Sequence, residues 1–290
     1  MKIDLHCHST HSDGKETLSE IFQYASEAGL DVLAITDHDT VAGWAEASEL
    51  AAQHGITFVP GIEITTKHHE ISTHLLAYLP NPEYAPLINR LAEVRESRST
   101  RIERFVENLA PDFEGISMDA VRATQTSEGK SPGRPHIADA LVNLGFFKDR
   151  GEAFDGPLSK RSPYYVPSDG IHTIEAVKLV RAAGGVPIMA HPLSRHSGPG
   201  PFTPHPKMRE NFLELIKAGI GGFEVDHREV KELQREWLVS LATEFNLIMT
   251  GSSDYHGMTG KPNRLGEKTT SLEMLKRIES EATGSVIQWA

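Results

Sequence analysis

Short apolar runs and amphipathic segments alternate along most of this chain, and that alternation narrows the fold to one class. Thr17-Leu18-Ser19-Glu20 is a capping-box pattern; Leu18, Ile21, Phe22, Ala25 and Ala28 then keep helical spacing, and Gly29 ends the helix. Asp31-Val32-Leu33-Ala34-Ile35-Thr36 follows as a buried strand. A second helix is expected over 42–54, closed by Gly55, then a strand over 56–64 and another over 74–79, stopped by Pro80. After a break the pattern resumes: helix 173–183, strand 186–190, a Gly/Pro loop over 197–206, a helix to about residue 218, strand 222–225, helix 229–245 and strand 247–251. Such alternation builds a mostly parallel sheet, open or closed into a barrel. With 290 residues the chain can hold one large α/β domain and an insertion.

The break lies after Pro86. Residues 87–109 form a long helical segment rich in Arg and Glu, interrupted by Pro111, and residues 111–166 give short helical pieces with no β-pattern. One piece opens Gly133-Arg134-Pro135-His136, with Pro135 in the favoured first turn. Ser162-Pro163-Tyr164-Tyr165-Val166-Pro167 reads as an extended linker. Residues 99–166 are therefore expected to be a small helical insertion into a unit made of 1–98 and 167–290. Phe146, Phe147 and Phe154 are assigned to the insertion's own core.

Chemistry enters through the histidines, of which there are 15. In the opening stretch Ile3, Leu5 and Cys7 point one way, and Asp4, His6 and His8 the other, as a strand of period two requires. Asp13 follows in a polar loop ending at Gly14. Asp37-His38, Glu63, His191 and Asp254-x-His256 also fall at or just beyond the ends of expected strands, while His74 falls near the start of one. The C-terminal strand ends carry the active site in parallel α/β architectures. Nine imidazoles and carboxylates with no thiolate suit Zn²⁺, Mn²⁺ or Fe²⁺ better than Ca²⁺ or a soft metal. Of the remaining histidines, His11, His54, His68, His69, His172, His205 and His227 are read as surface or structural, and Cys7 as a small core residue.

A single cysteine rules out an intramolecular disulfide framework and fits a reducing cytoplasm. No apolar run approaches the roughly 20 residues of a membrane span, and the N-terminus lacks a signal-peptide layout. The net charge of −11 argues against broad electrostatic binding to long nucleic acid. No protein partner is evident.

His6-x-His8, Asp13, Thr36-Asp37-His38-Asp39, Gly61-Ile62-Glu63, His74, Ala190-His191-Pro192 and Ser253-Asp254-x-His256 together resemble the PHP (polymerase and histidinol phosphatase) family. The resemblance covers nearly the whole chain outside the insertion. It implies a distorted (β/α)7 barrel with a trinuclear metal centre, Mn²⁺ foremost, with Fe²⁺ or Zn²⁺ as alternatives. Carried onto matching positions, His6, His8, Glu63 and Asp254 would hold the first ion. Glu63 would bridge to a second completed by His74 and His191, and Asp13, His38 and His256 would hold the third. The implied reaction is phosphate-ester hydrolysis by a metal-bridging hydroxide, with His136 or His196 as candidates to protonate the leaving group.

Substrate choice is expected from the surroundings. Arg95, Arg98, Arg101 and Arg104 recur every third residue, Arg134 opens a helix, and Arg195 follows His191 closely. The insertion and its Gly-Arg-Pro-His-Ile-Ala motif look similar to the 3′,5′-nucleoside bisphosphate phosphatases, a resemblance that places Ser99, Arg101, Arg134 and Pro135 around a nucleotide. Alternatives are a 5′→3′ exonuclease on short RNA or DNA, a histidinol-phosphate phosphatase, and a non-catalytic module stabilised by metal.

Overall fold

The computed structural model describes residues 1–69, 71–125, 132–167, 170–194 and 202–290. The Ser99 side chain, Arg195 and His196, three of the expected site residues, lie outside the described set. The chain divides into two compact units, Met1–Leu91 with Gly170–Ala290, and Ala92–Asp169.

The first unit is built on one sheet, whose strands among the described residues are β1 (Ile3–Asp4), β2 (Val32–Ile35), β3 (Thr57–His68), β4 (Ile71–Tyr78), β5 (Ile171–His172), β6 (Val186–Met189), β7 (Gly222–Asp226) and β8 (Ile248–Gly251). Their order is β1-β2-β3-β4-β6-β7-β8, with the short β5 paired to β3. Beyond β8, Tyr255 pairs with Cys7 as an isolated parallel bridge, and the His8 N–H donates to the Tyr255 carbonyl at 2.8 Å. These contacts bring the two ends of the seven-strand path together into a nearly closed, barrel-like sheet.

The sheet is parallel except for β4, which runs antiparallel to both β3 and β6. Too few residues separate His68 from Ile71 for the dozen-residue crossover that a parallel pair needs, so the chain folds back as a hairpin. The reversal explains an oddity of the sequence: the N-terminal half of β4 lies where its neighbours end. His74 is paired with Thr65 near the end of β3, and its carbonyl accepts from Ala190 N–H just after β6.

Helices α1 (Leu18–Glu27) and α2 (Trp44–His54) cover β2. The α1 capping box forms as expected, with Thr17 and Glu20 reciprocally bonded. Gly55 ends α2 in the left-handed region, where a glycine meets no steric cost. Alternate residues of β2 feed two apolar clusters: Val32 and Ala34 join Ile3, Leu5 and Tyr78, whereas Leu33 and Ile35 pack with Leu18, Phe22 and Phe58. Burying each such side chain contributes roughly 1.5–3 kcal/mol. Cys7 belongs to the second cluster, separated from Ile3 and Leu5, because the regular ladder of β1 ends at Asp4.

After α3 (Ala85–Leu109), which contributes to both units, come α4 (Met118–Arg122), α5 (Arg134–Asn143) and α6 (Arg150–Asp155). They close over Ile102, Phe105, Leu109, Val121, Ile137 and Leu141. Phe147 and Phe154 pack against this core, but Phe146 is 40% exposed and only edges onto Phe113, contrary to the sequence expectation. The first unit then resumes with α7 (Thr173–Ala182), α8 (Pro206–Ala218), α9 (Glu232–Glu244) and α10 (Leu272–Glu281). The sequence reading stopped at β8 and missed α10, although Ser271 caps it and Leu275 and Ile278 face the core. No helix among the described residues is long and apolar enough to cross a membrane.

Candidate metal centre

His6 and His8 emerge from β1 fully buried. The loop that follows turns back under them and is tied down by Asp37, which accepts from Ser9 N–H at 2.8 Å, Ser9 Oγ at 2.7 Å and Ser12 Oγ at 2.6 Å. Gly14 is required at the end of this loop, since a Cβ there would sit 2.2 Å from the His8 carbonyl oxygen. The result is Asp13 beneath His8, with Oδ1 3.3 Å from His256 Nε2 and 3.7 Å from His8 Nδ1. Asp39 plays a matching part beside β3, accepting from Thr65 N–H and Oγ1. Asp37 and Asp39 thus hold loops, while His38 between them reaches Glu63 at 3.3 Å through Nδ1.

Every ligand expected from the sequence converges here. Glu63 Oε2 lies 3.3 Å from His6 Nε2 and 3.1 Å from His8 Nε2; Glu63 Oε1 lies 2.9 Å from His74 Nδ1 and 3.0 Å from His191 Nε2. Asp254 Oδ1 is 3.4 Å from both His6 Nε2 and His8 Nε2, and 3.3 Å from His256 Nδ1. Three overlapping groups could each hold an ion: His6, His8, Glu63 and Asp254; His8, Asp13, His38 and His256; and His38, Glu63 and His74. His191, Asp254 and Asp39 all take positive φ, at 29°, 53° and 54°. Such backbone strain concentrates at functional sites.

The donor set fits divalent cations. Ligands bound at about 2.0–2.2 Å stand roughly 2.9–3.6 Å from one another, the spacing seen for most of these pairs. Asp13 Oδ1 and Asp254 Oδ1 are buried without a hydrogen bond, acceptors that a cation would satisfy. Burial by itself would raise the Glu63 and Asp254 carboxyls. The imidazoles of His74, His38 and His6 around Glu63, and Lys261, His256 and His6 around Asp254, reverse this and hold both well below the usual carboxylate range. Against its own burial, His8 is pushed up to about 9 by Asp254 and Glu63. The pocket is built for positive charge.

Three residues here escaped the sequence reading. Glu224 on β7 is fully buried; His6 Nδ1–H donates to it at 3.1 Å and the His191 N–H at 2.7 Å. The first bond leaves the His6 Nε2 lone pair facing Glu63 and Asp254, as a ligand's outer partner should. His227, read as surface or structural, is buried with Nε2 3.4 Å from Asp254 Oδ2. Lys261 Nζ lies 2.7 Å from the same oxygen while its side chain stays 37% exposed. The available signal was positional: Glu224 and His227 sit at the end of a strand, as the expected ligands do. Beside His74 and His191 opens a cavity of about 340 Å³ with walls from Met189, Leu193, Met208, Phe212 and Leu215.

Of the expected substrate residues, Arg101, Arg134 and Pro135 lie among the described residues of the second unit. Arg101 Nε donates to the Val166 carbonyl at 2.8 Å, and its guanidinium sits 5.6 Å from the Phe105 ring and 5.8 Å from that of Tyr165. Arg134 lies 5.5 Å from the Phe154 ring and 6.0 Å from Tyr165, so the two guanidiniums share one aromatic ring. Burial, and then Arg134 beside it, push Arg101 down to about 10. Pro135 occupies the first turn of α5, and Gly133 N–H donates to His136 Nδ1 at 2.9 Å. That bond uses His136 Nδ1 as an acceptor, and placing a proton on this nitrogen would require it to break.

A model of the PHP domain matches residues 4–116. A 3′,5′-nucleoside bisphosphate phosphatase of Chromobacterium violaceum is 34% identical over 255 residues, covering 88% of this chain and 87% of that one. A 5′-3′ exoribonuclease of Haemophilus influenzae is 32% identical over 259 residues, covering 88% and 90%. In structure, an inferred metal-dependent phosphoesterase from Bifidobacterium adolescentis superposes with a TM-score of 0.89 at 38% identity, covering 97% and 96% of the two chains.

Proposed function

The chain belongs to the PHP family of metal-dependent phosphoesterases, and from that premise we propose that it removes the 3′-phosphate of nucleoside 3′,5′-bisphosphates, adenosine 3′,5′-bisphosphate giving AMP and phosphate. The observation that carries the reading is the paired Arg101 and Arg134 around Tyr165, in a chain that also holds a cluster demanding cations. Paired guanidiniums are suited to holding a phosphoryl group, of which a bisphosphate has two. The Chromobacterium relative named for this activity matches along most of both chains.

His6, His8, Asp13, His38, Glu63, His74, His191, Asp254 and His256 would hold the ions, three per chain in this reading, with Mn²⁺ foremost and Fe²⁺ or Zn²⁺ as alternatives. Bound divalent ions supply Lewis-acid stabilisation of phosphoryl oxygens and a lowered pKa for water. Around them the chain's own groups fix geometry. Glu224 orients the His6 ring and the His191 backbone, and Lys261 offsets the charge of Asp254 with its stem partly open to solvent. Hydrolysis breaks the bond between phosphorus and the 3′-oxygen, which takes up a proton as water's oxygen adds to phosphorus. No side-chain nucleophile is called for, and Cys7, buried among apolar residues with its thiol pushed up by burial, is unsuited to the role.

The apolar cavity beside His74 and His191 is suited to a flat base or sugar face. A second reading, 5′→3′ exonuclease action on short oligonucleotides, is favoured by the similarity to the Haemophilus exoribonuclease. The test is phosphate and nucleotide release from adenosine 3′,5′-bisphosphate, 5′-phosphorylated oligonucleotides and histidinol phosphate, compared by kcat/KM with Mn²⁺. The bisphosphate should be preferred, and Arg134→Ala should weaken it most. Preference for oligonucleotides would support the second reading, and preference for histidinol phosphate would overturn both.

A further inference from the structure

A second set of metal-type donors stands where β3 ends, apart from the ligands described above. His68 and His69 occupy consecutive positions, and in a continuing strand their side chains would point to opposite faces. The backbone prevents this: His69 takes a φ of 44°, a left-handed conformation that histidine adopts more readily than most residues other than glycine. The two rings are consequently brought to 4.2 Å between centroids. Glu214, from α8, meets both, with Oε2 2.7 Å from His69 Nε2 and 3.6 Å from His68 Nε2. One donor atom from each of the three lies within 4.8 Å of the others.

His68 supplies the second, independent sign. The residue is only 5% exposed, and both its ring nitrogens are buried without a hydrogen-bond partner. A buried imidazole with neither nitrogen bonded is a rare and costly state that a bound ion would relieve. Burial, and then His69 beside it, hold the His68 ring below the usual histidine range despite the opposing pulls of Glu214 and of the nearby Asn211 backbone, and His172 acts in the same sense as His69. A neutral imidazole is the form that binds metal, and this shift favours it. His172 flanks His68 edge-on, with ring centroids 5.8 Å apart.

We propose that His68, His69 and Glu214 form a separate site for a borderline divalent transition ion of the Zn²⁺ class. Two imidazoles and one carboxylate, with room for water, are an established donor set for such ions and a poor one for Ca²⁺ or Mg²⁺. The ion would pin the end of β3 to α8. Since α8 also contributes Met208, Asn211, Phe212 and Leu215 to the cavity wall, and His68 lines the same cavity, the ion would stand behind that wall in a structural role.

The test uses the full chain and two variants. His69→Asn removes one donor but suits the left-handed backbone, and Glu214→Gln removes the charge at constant shape. Wild type and variants are stripped with chelator, equilibrated with Zn²⁺, gel-filtered into metal-free buffer, and assayed for zinc per chain. Each variant is expected to hold one zinc ion fewer than wild type, while phosphoester hydrolysis with Mn²⁺ is unchanged. Equal zinc content would overturn the proposal, and so would loss of hydrolysis along with the ion, because the site would then not be separate. Melting curves guard against misfolding. Stripped variants should melt with stripped wild type, and added Zn²⁺ should raise the wild-type Tm further than theirs; equal increments would count against the site.

Discussion

Glu63 lies within 3.3 Å of an imidazole nitrogen from each of His6, His8, His38, His74 and His191. A carboxylate with two oxygens so placed can serve two ions, which an imidazole with one lone pair per ring cannot. Glu224 works one step further out, fixing the tautomer of His6 and the backbone of His191. Changing it to Gln should lower metal affinity by about 10–100-fold, the usual cost of losing an outer partner. Hydrolysis followed against Mn²⁺ concentration should show the midpoint displaced and the plateau largely recovered; an unmoved midpoint would remove Glu224 from that role. The candidate ligands themselves were legible because imidazoles and carboxylates recur at strand ends. Glu224 was not, because Gly222-Phe223-Glu224-Val225 is also how a half-exposed strand reads. Only the neighbouring His6 reveals that its outward-looking carboxylate faces inward.

At the level of elements, local chemistry was readable and long-range pairing was not. The Thr17–Glu20 capping box and the Gly55 terminator act within a few residues, and both helices form as their sequences predict. Thr17→Ala should cost about 1 kcal/mol in denaturant unfolding at neutral pH. Bonds from the Thr17 N–H and hydroxyl hold the exposed Glu20 below its ordinary value of 4.5. A depressed carboxyl contributes stability above its unfolded pKa and loses it as pH falls through the folded value. The gap between variant and wild type should therefore narrow in acid below that range, and a gap that widened there would contradict the cap. The reversal of β4 was invisible because the period-two pattern is the same in either direction. Its neighbours decide it, and with it the position of His74.

For the whole molecule, the alternation of strand and helix identified a mostly parallel sheet, the family resemblance implied its closure into a barrel, and the loss of that alternation after Pro86 marked a change of organisation. What composition could not disclose is how much charge the first unit buries at one end of its sheet. Glu63, Asp254, Glu224, His6 and His8 are all at most 2% exposed. Charge buried on this scale is costly unless compensated. Protons offset part of it, and divalent ions would offset more while providing the means to cleave a phosphate ester. The most direct measurement is inorganic phosphate released from adenosine 3′,5′-bisphosphate as Mn²⁺ is returned to chelator-stripped protein. The account predicts no release before metal is added, a rise to a plateau as the sites fill, and AMP as the nucleotide product. Undiminished release by the stripped protein, or none at any metal concentration, would contradict it.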